Sequence, residues 1–163
     1  MTIPLNDMYH IESMSNRYAD EISLWVYPAE CAIYSFQKDE ETIRELMNGE
    51  HYACTDSQKH LVGYFCFGKS AQIPAVQENA YRADMLDIGL GLKPELCGKG
   101  LGADFMKSGM EYARSNLGAA NLRLSVACFN KRAINLYGKL GFEVTNEVTH
   151  RVSGNKFYVM QSK

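Results

Sequence analysis

The chain has 163 residues, of which 46% are hydrophobic and 22% are charged, and its formal net charge at pH 7 is −2. These values are typical of one ordinary globular domain, here residues 1–163. Charges of both signs are scattered along the chain, so no basic run indicates binding to nucleic acid or to an anionic membrane. No apolar run approaches the roughly 20 residues of a membrane-spanning helix.

The cysteines and histidines are dispersed in the same way. The five cysteines form no CxxC pair, which favours free, reduced thiols over a disulfide framework. The four histidines show no metal-ligand spacing, so no metal site is predicted. The first ten residues, MTIPLNDMYH, lack the charged start and apolar core of a signal peptide. We therefore expect a soluble cytoplasmic protein.

Hydrophobic periodicity predicts the elements in chain order. They are a strand at 2–5, helices at 8–25 and 39–49, a hairpin at 52–55 and 61–67, a strand at 85–92, a helix at 102–117, a strand at 122–128, a helix at 131–140 and a hairpin at 142–149 and 156–161. The first helix rests on apolar residues spaced three and four apart, namely Met8, Ile11, Met14, Tyr18, Ile22 and Trp25. The order βααβββαβαββ predicts an α/β fold, a mixed sheet with helices on its faces.

The stretch GLKPELCGKGLGADF connects the strand at 85–92 to the helix at 102–117. Gly98, Gly100 and Gly102 occupy alternate positions, and Lys93 and Lys99 flank them. Glycines before a helix let free backbone amides close around phosphate oxygens, and the helix dipole adds to the attraction. The alternative is a plain strand-to-helix turn. The spacing fits neither GxxxxGK[ST] nor a Rossmann fingerprint, which would follow the strand directly.

The preceding strand is unusual because Gly89 and Gly91 share one face with Asp87. Glycine weakens a strand, and is tolerated at a bulge or where another chain-like molecule lies against the backbone. A ligand with amide groups can pair there as an added strand does. A pyrophosphate that carries an amide-rich arm is coenzyme A.

Two motifs in this region resemble the GNAT family of N-acetyltransferases. CGKGLG, residues 97–102, matches [QR]-x-x-G-x-[GA] except that Cys97 replaces Gln or Arg. NKRAINLYGKLGF, residues 130–142, matches N-x-x-A-x-x-x-Y-x-x-x-G-F in full. The resemblance implies a mixed, largely antiparallel sheet of about seven strands, with a central splayed parallel pair at 85–92 and 122–128 and helices on both faces.

The same resemblance implies acetyl-CoA as the donor. The backbone of Leu90 and Leu92 would pair with the pantetheine amides, and that of Cys97, Gly98, Lys99, Gly100, Leu101 and Gly102 would hold the pyrophosphate. Asn130 and Ala133 would meet the pantetheine arm, although Asn130 can also be a helix cap alone. Cys97 can be an inert loop thiol or an oxidisable one, because a helix N-terminus lowers a thiol pKa.

The implied chemistry is direct attack of a neutral amine on the thioester in a ternary complex. Tyr137 stands where the family places the acid for the departing thiolate, and it can alternatively be a core tyrosine. Ribosomal-protein acetyltransferases of the family carry a glutamate base where this chain has Ser125. Asp87 is therefore the candidate base, with Asp84 in reserve; Asp87 can also bind the substrate ammonium or cap a bulge.

The resemblance leaves the acceptor open among a small amine, a peptide N-terminus, a lysine side chain and an antibiotic. Two rival functions also remain: an acyl-CoA sensor of the same fold without turnover, and a nucleotide-binding protein that uses the glycine-rich loop. A homodimer is common in the family, and no interface can be identified from the sequence.

Overall fold

The computed structural model describes residues 8–82 and 84–162. Within them the chain forms seven strands and four α-helices. The strands are β1 Tyr9–Ser13, β2 His51–Asp56, β3 Leu61–Phe67, β4 Leu86–Leu92, β5 Leu122–Ala127, β6 Phe142–Thr149 and β7 Lys156–Ser162. The helices are α1 Asn16–Ser23, α2 Glu40–Leu46, α3 Gly102–Leu117 and α4 Lys131–Lys139. Short 3₁₀ turns occupy Ala29–Tyr34, Gly68–Ala71 and Pro94–Leu96.

The start of the chain differs from the sequence-based prediction. The strand expected at 2–5 lies outside the described residues, and the helix expected at 8–25 is wrong in its first half. Tyr9–Ser13 is instead a strand, paired antiparallel with β2 from Tyr9 opposite Asp56 to Ser13 opposite Tyr52. The helix begins only after Ser15, whose Oγ accepts the Tyr18 N–H at 3.2 Å. Pairing with β2 thus overrides a helical spacing of apolar residues.

From residue 39 onward the predicted elements are confirmed to within a few residues. Asp39 caps α2 by accepting the Thr42 N–H at 2.8 Å, and α3 spans the predicted residues 102–117. The element order along the chain from β2 onward is the predicted one. In the sheet the strands lie in the order β1-β2-β3-β4-β5-β7-β6. β4 and β5 are the predicted parallel pair, with Leu86 opposite Leu122 and Asp87 opposite Arg123.

The described chain divides into two compact units, and the division falls within β4. The first comprises the described residues of Met1–Cys66 with Leu90–Gly109, and the second those of Phe67–Gly89 with Met110–Lys163. The core of the first unit packs α1 and α2 against β2 and β3, with Trp25 6% and Tyr64 8% exposed. Phe65 stacks on Phe105 at 4.5 Å between ring centres, beside the start of α3.

The second unit is built on the antiparallel strands β5, β7 and β6. β5 pairs with β7 from Arg123 opposite Gln161 to Ala127 opposite Phe157. The connection between Gly68–Ala71 and β4 is bound to the β6–β7 hairpin, because the Val76 N–H donates to the Thr149 carbonyl at 2.9 Å. Arg151 Nη2 also donates to the Ala75 carbonyl at 3.2 Å. This connection is therefore held against the sheet at several points.

None of the helices in the described part of the chain is both long and apolar enough to cross a membrane.

Candidate active site

The glycine-rich segment between β4 and α3 has the backbone conformation that its sequence predicts. Gly98 has φ +75° and Gly100 has φ +77°, values that disfavour residues with a Cβ. A Cβ placed on Gly100 would meet no heavy atom within 4 Å, so the glycine is required by the backbone turn and not by crowding. The segment leads into the sixteen-residue helix α3, whose first N–H groups have no partner within the helix.

Two of the charged residues beside this segment, Lys93 and Glu95, form an ion pair. Lys93 Nζ lies 3.6 Å from a carboxylate oxygen of Glu95. Lys99 is exposed, between the two glycines with positive φ. Cys97, which replaces the Gln or Arg of the motif, is an exposed free thiol with Sγ 3.7 Å from each of the Leu92 and Lys93 carbonyl oxygens.

The edge of β4 formed by Leu90 and Leu92 faces away from β3. The Lys93 N–H donates to the Val62 carbonyl on β3 at 2.8 Å. Because successive residues of a strand direct their peptide groups to opposite edges, the groups of Leu90 and Leu92 point to the other edge. This is the edge at which the sequence predicts pairing with an amide-containing ligand.

Tyr27 reaches this edge, a contact that the sequence did not indicate. Its hydroxyl donates to the Leu92 carbonyl oxygen at 2.7 Å, across 65 residues of sequence. Tyr27 is 8% exposed, and burial, with the nearby Cys97 and Cys31, raises the pKa of its hydroxyl well above the ordinary value. The hydroxyl therefore remains a neutral donor, and the Leu92 oxygen accepts from it while Cys97 Sγ lies 3.7 Å from the same oxygen.

Asp87, the candidate base, is engaged in a buried ion pair. Asp87 is 2% exposed and Arg123 is 3% exposed. Arg123 Nε donates to Asp87 Oδ1 at 2.7 Å, and Nη2 donates to Oδ2 at 2.8 Å. Gln72 Nε2 donates to the same Oδ2 at 2.8 Å. A carboxylate with both oxygens bound in this way is poorly placed to accept a substrate proton, and the geometry gives Asp87 a structural role.

Arg123 is the residue that sequence analysis overlooked in this network. It lies directly opposite Asp87 on the neighbouring parallel strand, and its Nη1 also donates to the Arg82 carbonyl at 2.8 Å. The hydrogen bonds that Arg123 donates to Asp87 raise the pKa of Arg123, which remains charged. The signal was present, since Arg123 is a charged residue within the largely apolar run LRLSVA, but only the strand pairing identifies its partner.

The motif NKRAINLYGKLGF forms the helix α4 of the second unit. The Asn130 carboxamide oxygen accepts the Ala133 N–H at 3.2 Å, so Asn130 caps α4 as its residue type predicts. Tyr137 lies one helical turn beyond Ala133 in α4 and is 8% exposed. Its ring centre lies 6.2 Å from that of Phe142. The predicted site residues are thus distributed over both units: Leu90, Leu92 and residues 97–102 lie in the first, and Asp87, Asn130, Ala133 and Tyr137 in the second.

Three aromatic residues of the first unit, Trp25, Tyr27 and Phe36, differ in their surroundings. Trp25 belongs to the buried core of the first unit, and Phe36 packs against that core. Tyr27 binds the edge of β4, as described above. No group of three or more His, Cys, Asp or Glu side chains that could hold a metal ion occurs within residues 8–82 and 84–162.

Residues 5–142 match the acetyltransferase (GNAT) family. The chain belongs to this family. The predicted activity class, an N-acetyltransferase, is confirmed by this membership. The spermidine N(1)-acetyltransferase of Escherichia coli K12 is 29% identical over 125 residues, covering 77% of this chain and 67% of that relative.

Solved structures share the fold at lower sequence identity. An acetyltransferase (GNAT family) from Bacillus anthracis matches with a TM-score of 0.71 at 13% identity, covering 94% of this chain and 93% of the other. A chimera of a Vibrio cholerae spermidine N-acetyltransferase matches with a TM-score of 0.68 at 19% identity, covering 95% of both chains. The predicted fold class is confirmed by these neighbours and by the parallel β4–β5 pair.

Proposed function

We propose that this GNAT-family chain transfers an acetyl group from acetyl-CoA to a primary amine of a small polyamine of the spermidine class. The glycine-rich segment carries the donor half of the proposal, because Gly98 and Gly100 adopt positive φ immediately before a long helix. The acceptor half rests on the curated relative named spermidine N(1)-acetyltransferase, which is 29% identical to this chain.

The residues of the first unit fit the donor. In this proposal the backbone amides of residues 98–102 bind the pyrophosphate, and the space beside Gly100 is open, since a Cβ there would meet no heavy atom within 4 Å. The peptide groups of Leu90 and Leu92 would hold the pantetheine amides along the edge of β4, and Lys99 adds a positive charge at the phosphates. When bound, acetyl-CoA supplies the activated acetyl thioester.

In the second unit we assign the acid to Tyr137 and the pantetheine arm to Asn130 and Ala133. A buried phenol can donate to a departing thiolate, because a phenol with its ordinary pKa near 10 is protonated at neutral pH and this pKa is close to that of a thiol, near 8.5. We do not assign the base to Asp87, since Arg123 and Gln72 already bind both of its oxygens, and in this scheme the proton that the attacking amine loses passes to water. Asp87 instead fixes the strand pair on which Ser125 lies.

A thermal-shift titration tests the donor, with acetyl-CoA, CoA, ATP and NAD measured side by side. A ligand at 100 times its dissociation constant adds roughly 2.7 kcal/mol to the free energy of unfolding. We expect stabilisation by acetyl-CoA and CoA only. Stabilisation by ATP or NAD without a response to CoA would instead identify a nucleotide-binding protein.

An amine panel tests the acceptor. Release of CoA thiol is measured with spermidine, spermine, putrescine, a peptide with a free N-terminus and a lysine peptide with a blocked N-terminus. We expect kcat/KM to be highest for a polyamine. Turnover of a peptide alone would contradict the polyamine class, and tight acetyl-CoA binding with no turnover of any amine would identify a sensor.

A further inference from the structure

The second unit contains a pair of hydroxyl groups that the proposed mechanism does not yet use. Tyr81 Oη and Ser125 Oγ lie 2.6 Å apart. Tyr81 belongs to the connection before β4, and Ser125 lies at the centre of β5 on the same face as Arg123. The two groups are separated by 44 residues in sequence, so the contact is created by the fold.

The Tyr81 hydroxyl has a second partner besides Ser125. The Ile73 N–H donates to Tyr81 Oη at 3.2 Å, which occupies an acceptor position of the phenol. Either hydroxyl can be the donor of the bond between Tyr81 and Ser125. Burial raises the pKa of Tyr81, which keeps the phenol protonated and able to donate. In both directions Ser125 Oγ keeps at least one lone pair that can accept a further hydrogen bond.

One face of the Tyr81 ring packs against the buried ion pair of Arg123 and Asp87. The Arg123 guanidinium carbon lies 5.3 Å from the centre of the Tyr81 ring. Arg123 is itself fixed by both oxygens of Asp87 and by the Arg82 carbonyl. Asp87 thus orients Arg123, Arg123 packs on the Tyr81 ring, and Tyr81 bonds Ser125, so these four residues form one network.

Ser125 is the residue of this network whose hydroxyl a ligand could contact, because it is only partly buried. Asp87 and Arg123 are buried, whereas Ser125 is half-buried. Among the described residues, Tyr81 is the recorded hydrogen-bond partner of the Ser125 hydroxyl. A half-satisfied hydroxyl at the centre of a parallel-paired strand is a specific place for a polar ligand group.

We propose that Ser125 is an acceptor-binding residue, whose Oγ accepts an N–H of the neutral amine, and that Tyr81 is a positioning residue that acts through Ser125. An amine attacks through its lone pair and keeps its N–H bonds as donors, so holding one N–H orients the lone pair toward the thioester carbon. This inference rests on the proposed function, and it concerns the amine and not the binding of acetyl-CoA.

Steady-state kinetics of Ser125→Ala and Tyr81→Phe test the inference, with spermidine and acetyl-CoA varied separately. For Ser125→Ala we expect kcat/KM for spermidine to fall about tenfold or more, while KM for acetyl-CoA stays unchanged. Tyr81→Phe should give a smaller loss in the same parameter, and no further loss when combined with Ser125→Ala. Ser125→Thr retains the hydroxyl and should restore most of the activity.

Two matched controls separate this role from a structural one. Ser162→Ala removes a hydroxyl that binds the same strand, at 2.9 Å from the Leu122 nitrogen, and Tyr158→Phe removes a phenol on β7. Both should leave the spermidine KM unchanged. Loss of spermidine kcat/KM to the same extent in these controls, unchanged kinetics in Ser125→Ala, or a raised KM for acetyl-CoA would overturn the inference.

The proposed function and the inference fail in different ways. A wild-type chain that binds acetyl-CoA but acetylates no amine overturns the proposed function and the inference together. A wild-type chain that acetylates spermidine, with Ser125→Ala and Tyr81→Phe as active as wild type, overturns the inference alone.

Discussion

The two ends of β4 depend on different chemical groups, side chains at the start and backbone at the end. At the start of the strand, side chains define the structure, because Asp87 is bound by Arg123 and Gln72. At its end, backbone defines it: the peptide groups of Leu90 and Leu92 and the positive φ of Gly98 and Gly100 carry the candidate donor site. We therefore expect side-chain substitutions to matter most at the start of β4, and changes of backbone conformation to matter most at its end.

The largest expected effect is at the start of β4. Arg123→Met leaves the Asp87 carboxylate buried without its cation, and we expect the free energy of unfolding to fall by about 3–5 kcal/mol. Chemical denaturation measures it. Glu95→Gln, which breaks the exposed pair with Lys93, is the control and should cost less than about 1 kcal/mol. The double variant Asp87→Leu with Arg123→Met should recover much of the loss. Equal costs for both pairs would refute this ranking.

Tyr137→Phe examines the one side chain of the second unit to which an acid role is assigned. If Tyr137 protonates the departing thiolate, kcat should fall by about 100-fold with little change in KM for acetyl-CoA. Tyr158→Phe provides the comparison with a phenol outside the site. Unchanged kcat in Tyr137→Phe would leave Tyr137 as a core residue only.

Gly100→Ala tests the glycine-rich segment that follows β4. Gly154→Ala is the control, because Gly154 has nearly the same φ. Gly100 and Gly154 have φ +77° and +75°, and a Cβ at either would meet nothing within 4 Å. Both alanine variants should therefore lose about 1 kcal/mol of stability through the left-handed backbone. Only Gly100→Ala should also weaken acetyl-CoA binding, by about tenfold, in a calorimetric titration. Equal affinities in the two variants would remove residues 98–102 from the donor site.

The smallest expected effect is on the pH dependence of stability. The first unit contains a buried ionisable residue, His51. His51 is 4% exposed, and burial lowers its pKa, an effect that Glu50 partly opposes. The folded chain then binds fewer protons than the unfolded chain in acid. The stability that this contributes is complete above the unfolded pKa of about 6.5 and is lost as the pH falls below it.

Thermal melts between about pH 7.5 and pH 5.5 check this, and His51→Gln should reduce the decrease in Tm on acidification. The amide side chain of glutamine does not titrate and can still bond Asn48, which now lies 3.1 Å from His51 Nδ1. A decrease in Tm that is identical in wild type and His51→Gln would exclude His51 as its cause.

Much of the fold was predictable because local signals and tertiary packing agree over most of the chain. Asp39 and Asn130 cap helices where their side chains indicate, and α3 has the predicted ends. The error at Tyr9–Ser13 arose where they disagree. The apolar residues there fit a helical face, yet the backbone pairs with β2, and no local pattern reports a partner 47 residues away in Asp56.

The site divides in the same manner. By itself the sequence determined the glycine-rich segment, the cap at Asn130 and the position of Tyr137, because backbone conformation and helix capping are local properties. Only the tertiary structure decided that Asp87 is bound by Arg123, that Tyr27 bonds the Leu92 carbonyl, and that Tyr81 meets Ser125. These contacts join residues 36 to 65 positions apart, and the hydrogen bonds of a buried polar group depend on which strands and loops the fold brings beside it.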